Sequence, residues 1–286
     1  LFHEGARNVC CVLPTGAGKS LTLADYAKRA LMNNEVCVVF AHRDVLISQL
    51  SEALCKMEVP HSFICSDKAR RDITNNNKQL FGDSFYCETS PVVVSSTPTF
   101  SARLKNGRIP DSFLKSVSWW LQDETHHLVE DTTWFRCIEN MVNAKGIGFT
   151  ATPIRGDRKG LGRHADGVFD QLSVTTNMFN LIRDGMLTPY KIYTTGFFDT
   201  KSCKVTSGGD YNQKSLVLGV NKREIIGDAV DHYKRILDGL PVITFCVNIE
   251  HAKAVAKQFN EAGVPSIAIS SKSDLKERNQ AMEDFK

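Results

Sequence analysis

Two polar segments stand out in the chain because each directly follows an apolar run. The first reads P-T-G-A-G-K-S at 14–20, and the second reads D-E-T-H at 123–126. Glycines let a backbone curl so that its N–H groups face an anion, while a lysine and a hydroxyl reach phosphate oxygens and Mg²⁺. Adjacent carboxylates at a strand end can hold a metal ion and activate water. The two segments together predict binding and hydrolysis of a phosphate chain.

The segment 14–20 differs from the phosphate-loop pattern G-x-x-x-x-G-K-[ST] only at its first position, where Leu13 replaces glycine. A chance glycine turn is the alternative, but the uninterrupted T-G-A-G-K-S between a predicted strand and a predicted helix favours the phosphate loop. We expect Lys19 to reach the β and γ phosphates and the Ser20 hydroxyl to ligate Mg²⁺. The predicted phosphate-binding residues are Thr15, Gly16, Ala17, Gly18, Lys19 and Ser20.

The acid pair allows a division of labour. Asp123 would hold the Mg²⁺ shell, and Glu124 would orient or deprotonate the attacking water. Acid pairs also occur on solvated turns, but this one ends a predicted buried strand downstream of a phosphate loop, which favours function. His126 and His127 could be read as metal ligands. Since no further His or Cys stands at ligand spacing, a coupling or structural role is favoured for them.

Short apolar runs that alternate with stretches of helical periodicity must position these segments. The predicted strands are 9–13, 36–41, 92–95, 117–121 and 146–150, and helical spacing of apolar residues follows the first two. Strands that are apolar throughout and alternate with helices form a parallel sheet covered on both faces. The sequence therefore predicts an α/β fold with the polar segments at the carboxyl ends of strands.

The alternation resumes in the second half of the chain. A helix near 176–184 should end at Gly185. The later predicted elements are, in order, a helix at 226–237, a strand at 242–247, a helix at 252–259 and a strand at 264–269. Two domains fit a prior of roughly 150 residues per domain, and the boundary is predicted between 172 and 195.

Composition and charge exclude several classes. The chain has 286 residues, 42 % of them hydrophobic, and a net charge of +3, which is ordinary for a globular protein. No apolar run approaches the ~20 residues that span a bilayer, so we expect no membrane partner. The nine cysteines include no C-x-x-C pair, so we expect no structural zinc in this region. Cysteines inside apolar runs favour a cytoplasmic, reducing compartment.

In this order the motifs resemble those of superfamily two helicases of the DExH/DEAD type, and most of all the RadD-like or restriction-subunit-like group. The matching segments are P-T-G-A-G-K-S at 14–20 (motif I), A-H-R-D-V-L-I-S-Q at 41–49 (motif Ia), S-S-T at 95–97 (near motif Ib), D-E-T-H at 123–126 (motif II), T-A-T-P at 150–153 (motif III) and I-T-F-C-V-N-I-E-H-A at 243–252 (motif IV). The segments 185–189 and 221–224 resemble connecting segments of that group. Gln122 departs from the group, in which an aliphatic residue is usual.

The resemblance implies a nucleic-acid-dependent ATPase (a P-loop NTPase) that uses ATP and Mg²⁺ between two RecA-like parallel-sheet domains, the second incomplete. It implies a first RecA-like domain at 1–172, a linker at 173–195 and a C-terminally truncated second domain at 196–286. The implied catalytic residues are Lys19, Asp123 and Glu124, the Mg²⁺ ligands are Ser20 and Asp123, and the residues that couple hydrolysis to domain movement are His126, Thr150 and Thr152.

The resemblance also implies a nucleic-acid partner, with DNA favoured over RNA, and backbone contacts from Arg43, Gln49, Ser96 and Thr97. Asn248 is a weaker candidate, because an Asn after a strand is often simply a helix N-cap. The basic stretch 155–163, which begins with Arg155, could also meet phosphates, and a solvated loop is an equal alternative.

No counterparts of motifs V and VI are present, and the chain begins with Leu1, so we expect a piece of a longer protein. Because the motif VI arginine stabilises phosphoryl charge, we expect poor ATP turnover by residues 1–286 alone. Three functions stay open at this point. They are an ATP-driven DNA helicase or translocase, the motor subunit of a restriction endonuclease, and a non-unwinding nucleic-acid clamp controlled by ATP.

Overall fold

The computed structural model describes residues 1–128, 132–155, 159–193, 204, 212, 223–270 and 272–285. The chain divides into two compact units, Leu1–Tyr190 and Lys191–Lys286. The division falls inside the segment 173–195 that the sequence predicted as a linker.

The first unit alternates strands and helices from its first strand onward. Its elements are β1 (Asn8–Val12), α1 (Lys19–Met32), β2 (Val36–Ala41), α2 (Asp44–Lys56), β3 (Ser62–Ile64), α3 (Asp67–Phe81), β4 (Val92–Ser96), α4 (Thr97–Lys105), α5 (Asp111–Ser116), β5 (Val117–Gln122), α6 (Thr133–Ile138), β6 (Lys145–Thr150), β7 (Gln171–Val174) and α7 (Met178–Arg183), with 3₁₀ turns at Phe2–Glu4, Thr125–His127 and Arg163–Ala165.

The seven strands form one parallel sheet in the order β3-β4-β2-β5-β6-β1-β7. Its central strands are apolar on both sides; Cys37, Val38 and Val39 are fully buried. One hydrophobic cluster lies between one face of the sheet and α1, α2 and α3, and a second lies on the other face with α4, α5 and α6. A parallel sheet covered on both faces is the predicted fold class, and it is confirmed.

The sequence did not predict the two edge strands. β3 and β7 have only three and four residues, S-F-I and Q-L-S-V, too short for a recognisable apolar run. β7 pairs with β1 from Val9↔Gln171 to Val12↔Val174. The sheet of the first unit therefore extends past residue 172, the end predicted for the first domain, because backbone pairing with β1 recruits residues that look polar in sequence.

In the described part of the second unit, the regular elements are helices. They are α8 (Arg223–Ile236), α9 (Ile249–Glu261) and α10 (Leu275–Phe285). A small core joins α8 to α9 through four buried side chains, Val230, Tyr233, Val255 and Phe259. The rings of Tyr233 and Phe259 meet edge to face at 5.5 Å.

The strands predicted at 242–247 and 264–269 do not form; both segments lack regular structure. Their apolar side chains face solvent, with Ile243 63 %, Phe245 94 % and Ile267 58 % exposed. An isolated strand leaves its backbone groups without partners, so an apolar run becomes a strand only where neighbours complete a sheet. In the described part of the second unit neither segment has such a neighbour.

Candidate active site

Parallel strands present their carboxyl ends at one edge of the sheet, and the site is built there. β5, β6 and β1 are consecutive in the sheet, and β2 lies on the other side of β5. The phosphate loop follows β1, the acid pair follows β5, and Thr150 ends β6. Segments that are far apart in sequence therefore meet in one crevice, the usual ligand site of such sheets.

The phosphate loop adopts the conformation that its glycines permit. Gly16 and Gly18 have φ angles of 84° and 81°, in the left-handed region. Gly18 is the N-cap of α1, and Lys19 is its first residue. The first hydrogen bond of the helix runs from Thr22 N–H to Gly18 O at 2.9 Å. The N–H groups of residues 19–21 come before this bond, so they have no acceptor within the helix. This helix N-terminus suits an anion.

Asp123 and Glu124 leave the end of β5 in different environments. Asp123 is 8 % exposed, whereas the Glu124 side chain is one-third exposed, at 33 %. Glu124 has φ 51°, uncommon for a residue with a Cβ, and its N–H donates to Asp123 Oδ1 at 3.0 Å. Burial raises the pKa of the Asp123 carboxyl, and the adjacent Glu124 raises it further.

Lys19 lies close enough to the acid pair to act electrostatically on Asp123. Its positive charge lowers the pKa of Asp123 and so offsets part of the effect of burial. A nearly buried carboxylate next to a second acid is stabilised in its ionised form by a cation. Carboxylate and hydroxyl oxygens are ligands that Mg²⁺ prefers, so Asp123 and Ser20 fit the predicted metal site.

His126 links the end of β5 to the end of β6. Its Nδ1 lies 3.1 Å from Thr150 Oγ1 and 3.4 Å from Glu124 Oε2. The Thr150 hydroxyl donates to Thr152 O at 3.1 Å and accepts from Thr152 N–H at 3.0 Å. The Thr150 hydroxyl therefore lies within hydrogen-bond distance of both His126 and Thr152. The three residues predicted to act in coupling thus form one hydrogen-bonded group.

The residues predicted to contact nucleic acid differ in the exposure of their side chains. Arg43 and Gln49 are exposed on the segment after β2 and on α2. Ser96 and Thr97 are 6 % and 2 % exposed, and the Thr97 hydroxyl donates to Ala41 O at 3.2 Å. The Thr97 hydroxyl therefore joins the start of α4 to the end of β2, and both buried side chains offer little surface to a ligand.

Two further candidates are explained by local structure. Arg155 is 7 % exposed, which leaves its guanidinium little surface for a phosphate contact. Asn248 caps α9, with its Oδ1 accepting from His251 N–H at 2.7 Å. The N-cap alternative for Asn248 accounts for its type without a ligand.

His42 belongs to the site and was not predicted from the sequence. It follows β2, the neighbour of β5, and its ring lies 5.4 Å from that of Trp134. Burial lowers the pKa of His42, Arg43 lowers it further, and the charges of Glu124 and Asp123 act in the opposite direction. Strand order would have identified this residue, because β2 and β5 are adjacent although 117–122 comes much later in sequence.

A cleft in the described part of the chain lies elsewhere. It has a volume of about 470 Å³ and lies at the open edge of β3, where Phe63, Tyr86, Arg70 and Arg103 line it. The phosphate loop does not line this cleft. The chemistry of the crevice after β1, β5 and β6, not cavity size, identifies the site.

Two kinds of feature are absent from the described residues. Within the described ranges, no three His, Cys, Asp or Glu side chains lie close enough together to hold a metal ion. No described helix is long and apolar enough to cross a membrane.

Comparison with known proteins shows the family of the chain. The model of the family described as "Type III restriction enzyme, res subunit" matches residues 1–155. The "51.5 kDa protein" of Lactococcus phage (isolate 7-9) is 24 % identical over 273 residues, which cover 96 % of this chain and 51 % of the phage protein. The "Putative mitochondrial ATP-dependent helicase irc3" of Schizosaccharomyces pombe is 25 % identical over 297 residues, covering 100 % and 45 %.

The chain spans about half the length of these curated relatives. Among solved structures, the Hef helicase domain of Pyrococcus furiosus aligns with a TM-score of 0.44 and 18 % identity over 90 % of this chain and 50 % of that chain. The family match includes the phosphate loop, the acid pair and the T-A-T-P segment, and it covers more than half of the 286 residues. The chain therefore belongs to the family of type III restriction enzyme res subunits, within the helicases of the DExH/DEAD type.

Proposed function

We propose that the chain is the motor region of a nucleic-acid-dependent ATPase, an ATP-driven DNA helicase or translocase of superfamily two. The observation that carries the proposal is the meeting of the phosphate loop, the acid pair and the His126–Thr150–Thr152 group at adjacent strand ends of one sheet. Membership of a restriction-subunit family favours DNA over RNA as the partner.

The roles of the side chains follow from their positions. The N–H groups at the start of α1 and the Lys19 ammonium bind the β and γ phosphates of ATP. Ser20 and Asp123 would hold Mg²⁺, which would supply positive charge to offset the charge that develops on the phosphates. Glu124 orients the attacking water and accepts its proton, since its carboxylate is one-third exposed whereas the neighbouring Asp123 is nearly buried.

The His126–Thr150–Thr152 group supports a role in coupling. Nδ1 of His126 lies 3.4 Å from Glu124 and 3.1 Å from Thr150, so a shift of the proposed base alters the contacts at the end of β6. We propose that this group transmits the state of the nucleotide to the segments that follow β6. We also propose a RecA-like domain at 1–172, a linker at 173–195 and an incomplete RecA-like domain at 196–286, and the division of the chain after Tyr190 supports this.

The exposed Arg43 and Gln49 are the proposed backbone contacts to the nucleic acid. They follow β2, on the strand-end side of the sheet where the other motifs lie. A nucleic-acid contact has less support for the other candidates, because their side chains are buried or used in local hydrogen bonds. These candidates are Ser96, Thr97, Arg155 and Asn248. Since a phosphate contact strengthens binding and adds to its salt dependence, Arg43→Ala should weaken nucleic-acid binding and reduce its salt dependence.

A motor subunit of a restriction endonuclease is the second candidate, and the family match specifically favours it. This candidate and the helicase or translocase differ only in whether a nuclease accompanies the motor. Supercoiled DNA incubated with the full-length protein and ATP separates them, because ATP-dependent double-strand cleavage requires the nuclease.

The experiment that tests the motor is Glu124→Gln in the full-length protein. Loss of the general base should lower DNA-stimulated ATP hydrolysis about 10²- to 10⁴-fold while ATP-dependent DNA binding is retained. A wild-type protein that binds DNA in the presence of ATP but shows no turnover would instead establish the ATP-controlled clamp.

A further inference from the structure

The segment 185–189, which follows α7, brings one apolar side chain against the phosphate loop. Leu187 is half-buried. A Cβ atom at Gly16 would lie 2.7 Å from Leu187 Cδ2 and 3.8 Å from its Cγ, so Leu187 occupies the space that a side chain at position 16 would need. A segment far away in sequence therefore contacts the middle of the loop.

The backbone around α7 fixes the position of Leu187. Gly185 has φ 73° and ends the helix, and Met186 N–H and Leu187 N–H both donate to Leu181 O, at 2.8 and 3.1 Å. Leu181 is itself 6 % exposed and anchors α7. Leu187 is thus presented to the loop by a turn that is hydrogen-bonded and attached to a buried residue.

The loop benefits from such support because it is built from glycines. Gly16 and Gly18 both have positive φ, and glycine loses more conformational freedom on ordering than any other residue. Binding an anion requires several loop N–H groups to point at one place, and any ordering needed at that moment weakens affinity. A side chain packed against Gly16 orders the loop in advance.

We propose that Leu187 is a positioning residue that holds the phosphate loop in its anion-binding conformation. The inference rests on the proposed function only in taking this loop as the phosphate site. Because Leu187 acts through Gly16 and not through the base or ribose, it strengthens the binding of every polyphosphate by the same factor.

The test compares two probes, ATP and inorganic tripolyphosphate, each titrated with Mg²⁺ into the 286-residue chain by calorimetry. Leu187→Ala should weaken the binding of both on the order of fivefold, as expected for the loss of preorganisation by one apolar contact. Leu187→Met, which keeps an apolar side chain of similar volume, should stay within about twofold of the wild type. Met186→Ala is the matched control, since Met186 is adjacent and 72 % exposed.

Hydrogen exchange supplies a readout that a general loss of stability would not mimic. In Leu187→Ala the amides of residues 15–20 should exchange faster, while those in the middle of α1 keep their wild-type rates. If the variant unfolds at the assay temperature, Leu187→Val, which removes one methylene and keeps part of the apolar contact, replaces it.

Two results would overturn the proposal. Weaker binding of ATP with unchanged binding of tripolyphosphate would mean that Leu187 contacts the nucleoside, and unchanged binding of both would mean that the contact has no effect on the loop. Failure of the phosphate-site assignment is a separate result, because then the wild-type chain itself would bind neither probe.

Discussion

The two units treat similar apolar runs in opposite ways. The run V-C-V-V-F-A at 36–41 is β2, paired with β4 on one side and β5 on the other, and Phe40 is 1 % exposed. The run V-I-T-F-C-V at 242–247 has no strand partner in the described part of its unit, and Phe245 is 94 % exposed. A strand is therefore a property of its neighbours as much as of its own residues.

The same difference between the two units determines where the site lies. A finished sheet holds the phosphate loop, the acid pair and Thr150 at fixed strand ends, whereas α8 and α9 bury only a small core. We therefore expect nucleotide binding to depend on the first unit and to need little from the second.

Separating the units should have the largest effect. Residues 1–190 contain the whole sheet and both large hydrophobic clusters, so they should unfold cooperatively in urea; residues 191–286 should show no cooperative transition. Circular dichroism on the two purified polypeptides measures this. A sharp unfolding transition in 191–286 would show that the second unit stabilises itself without further partners.

A pair of phenylalanine substitutions gives the next largest difference. Phe40 packs edge to face on Phe100 with ring centroids 5.0 Å apart, so Phe40→Ala should lower the free energy of unfolding by about 3–5 kcal/mol. Phe245→Ala should change it by about 0.5 kcal/mol or less, because the ring is almost fully exposed. Urea titration of the 286-residue chain compares them, and equal losses would contradict the difference between the units.

Gln122 is a polar residue at the end of an otherwise apolar buried strand of the first unit. It is 1 % exposed, and its Nε2 has no hydrogen-bond partner in the described residues. Replacing an unsatisfied buried amide by an apolar group removes its desolvation cost, so Gln122→Leu should stabilise the chain by roughly 1 kcal/mol. A lower urea midpoint in this variant would indicate a partner for the amide that the packing does not reveal.

Acid should weaken the first unit through His61, with a smaller effect than these substitutions. The ring is fully buried; Val59 O accepts from Nδ1 at 2.9 Å, and Nε2 lies 2.7 Å from the Ser51 hydroxyl. Burial lowers the pKa of His61 below its ordinary value of 6.5, and the Val59 carbonyl offsets part of this. Below pH 6.5 the unfolded chain binds a proton that the folded chain does not, so stability should fall as pH decreases.

Urea midpoints between pH 8 and pH 5.5 measure this slope. His61→Gln should flatten the pH dependence of the first unit's transition. His251→Gln is the matched control, because burial also lowers the pKa of His251 but that residue lies in the second unit. An unchanged slope in His61→Gln would assign the pH dependence to other groups.

Sequence patterns were sufficient for the centre of the first unit. The five long apolar strands and the segments after them could be predicted, because a buried parallel strand and a glycine-rich loop each have a local pattern. The contact of Leu187 with Gly16 could not be predicted, since it depends on a turn that brings distant residues together. The approach of His42 to the acids could not be predicted either, since it depends on strand order. The strands at 242–247 and 264–269 were predicted wrongly for the same reason, because pairing is not local.

The most direct test of the nucleotide site is the affinity of the 286-residue chain for Mg²⁺·ATP with and without Lys19. Lys19→Ala removes the ammonium at the start of α1, and we predict that ATP binding measured by calorimetry falls about 100-fold or more, as expected for a charged group that contacts phosphate directly. Arg29→Ala on the same helix is exposed, removes the same charge and should leave the affinity unchanged. Equal ATP affinity in the wild type and Lys19→Ala would contradict the phosphate-loop assignment, and with it the account of the site.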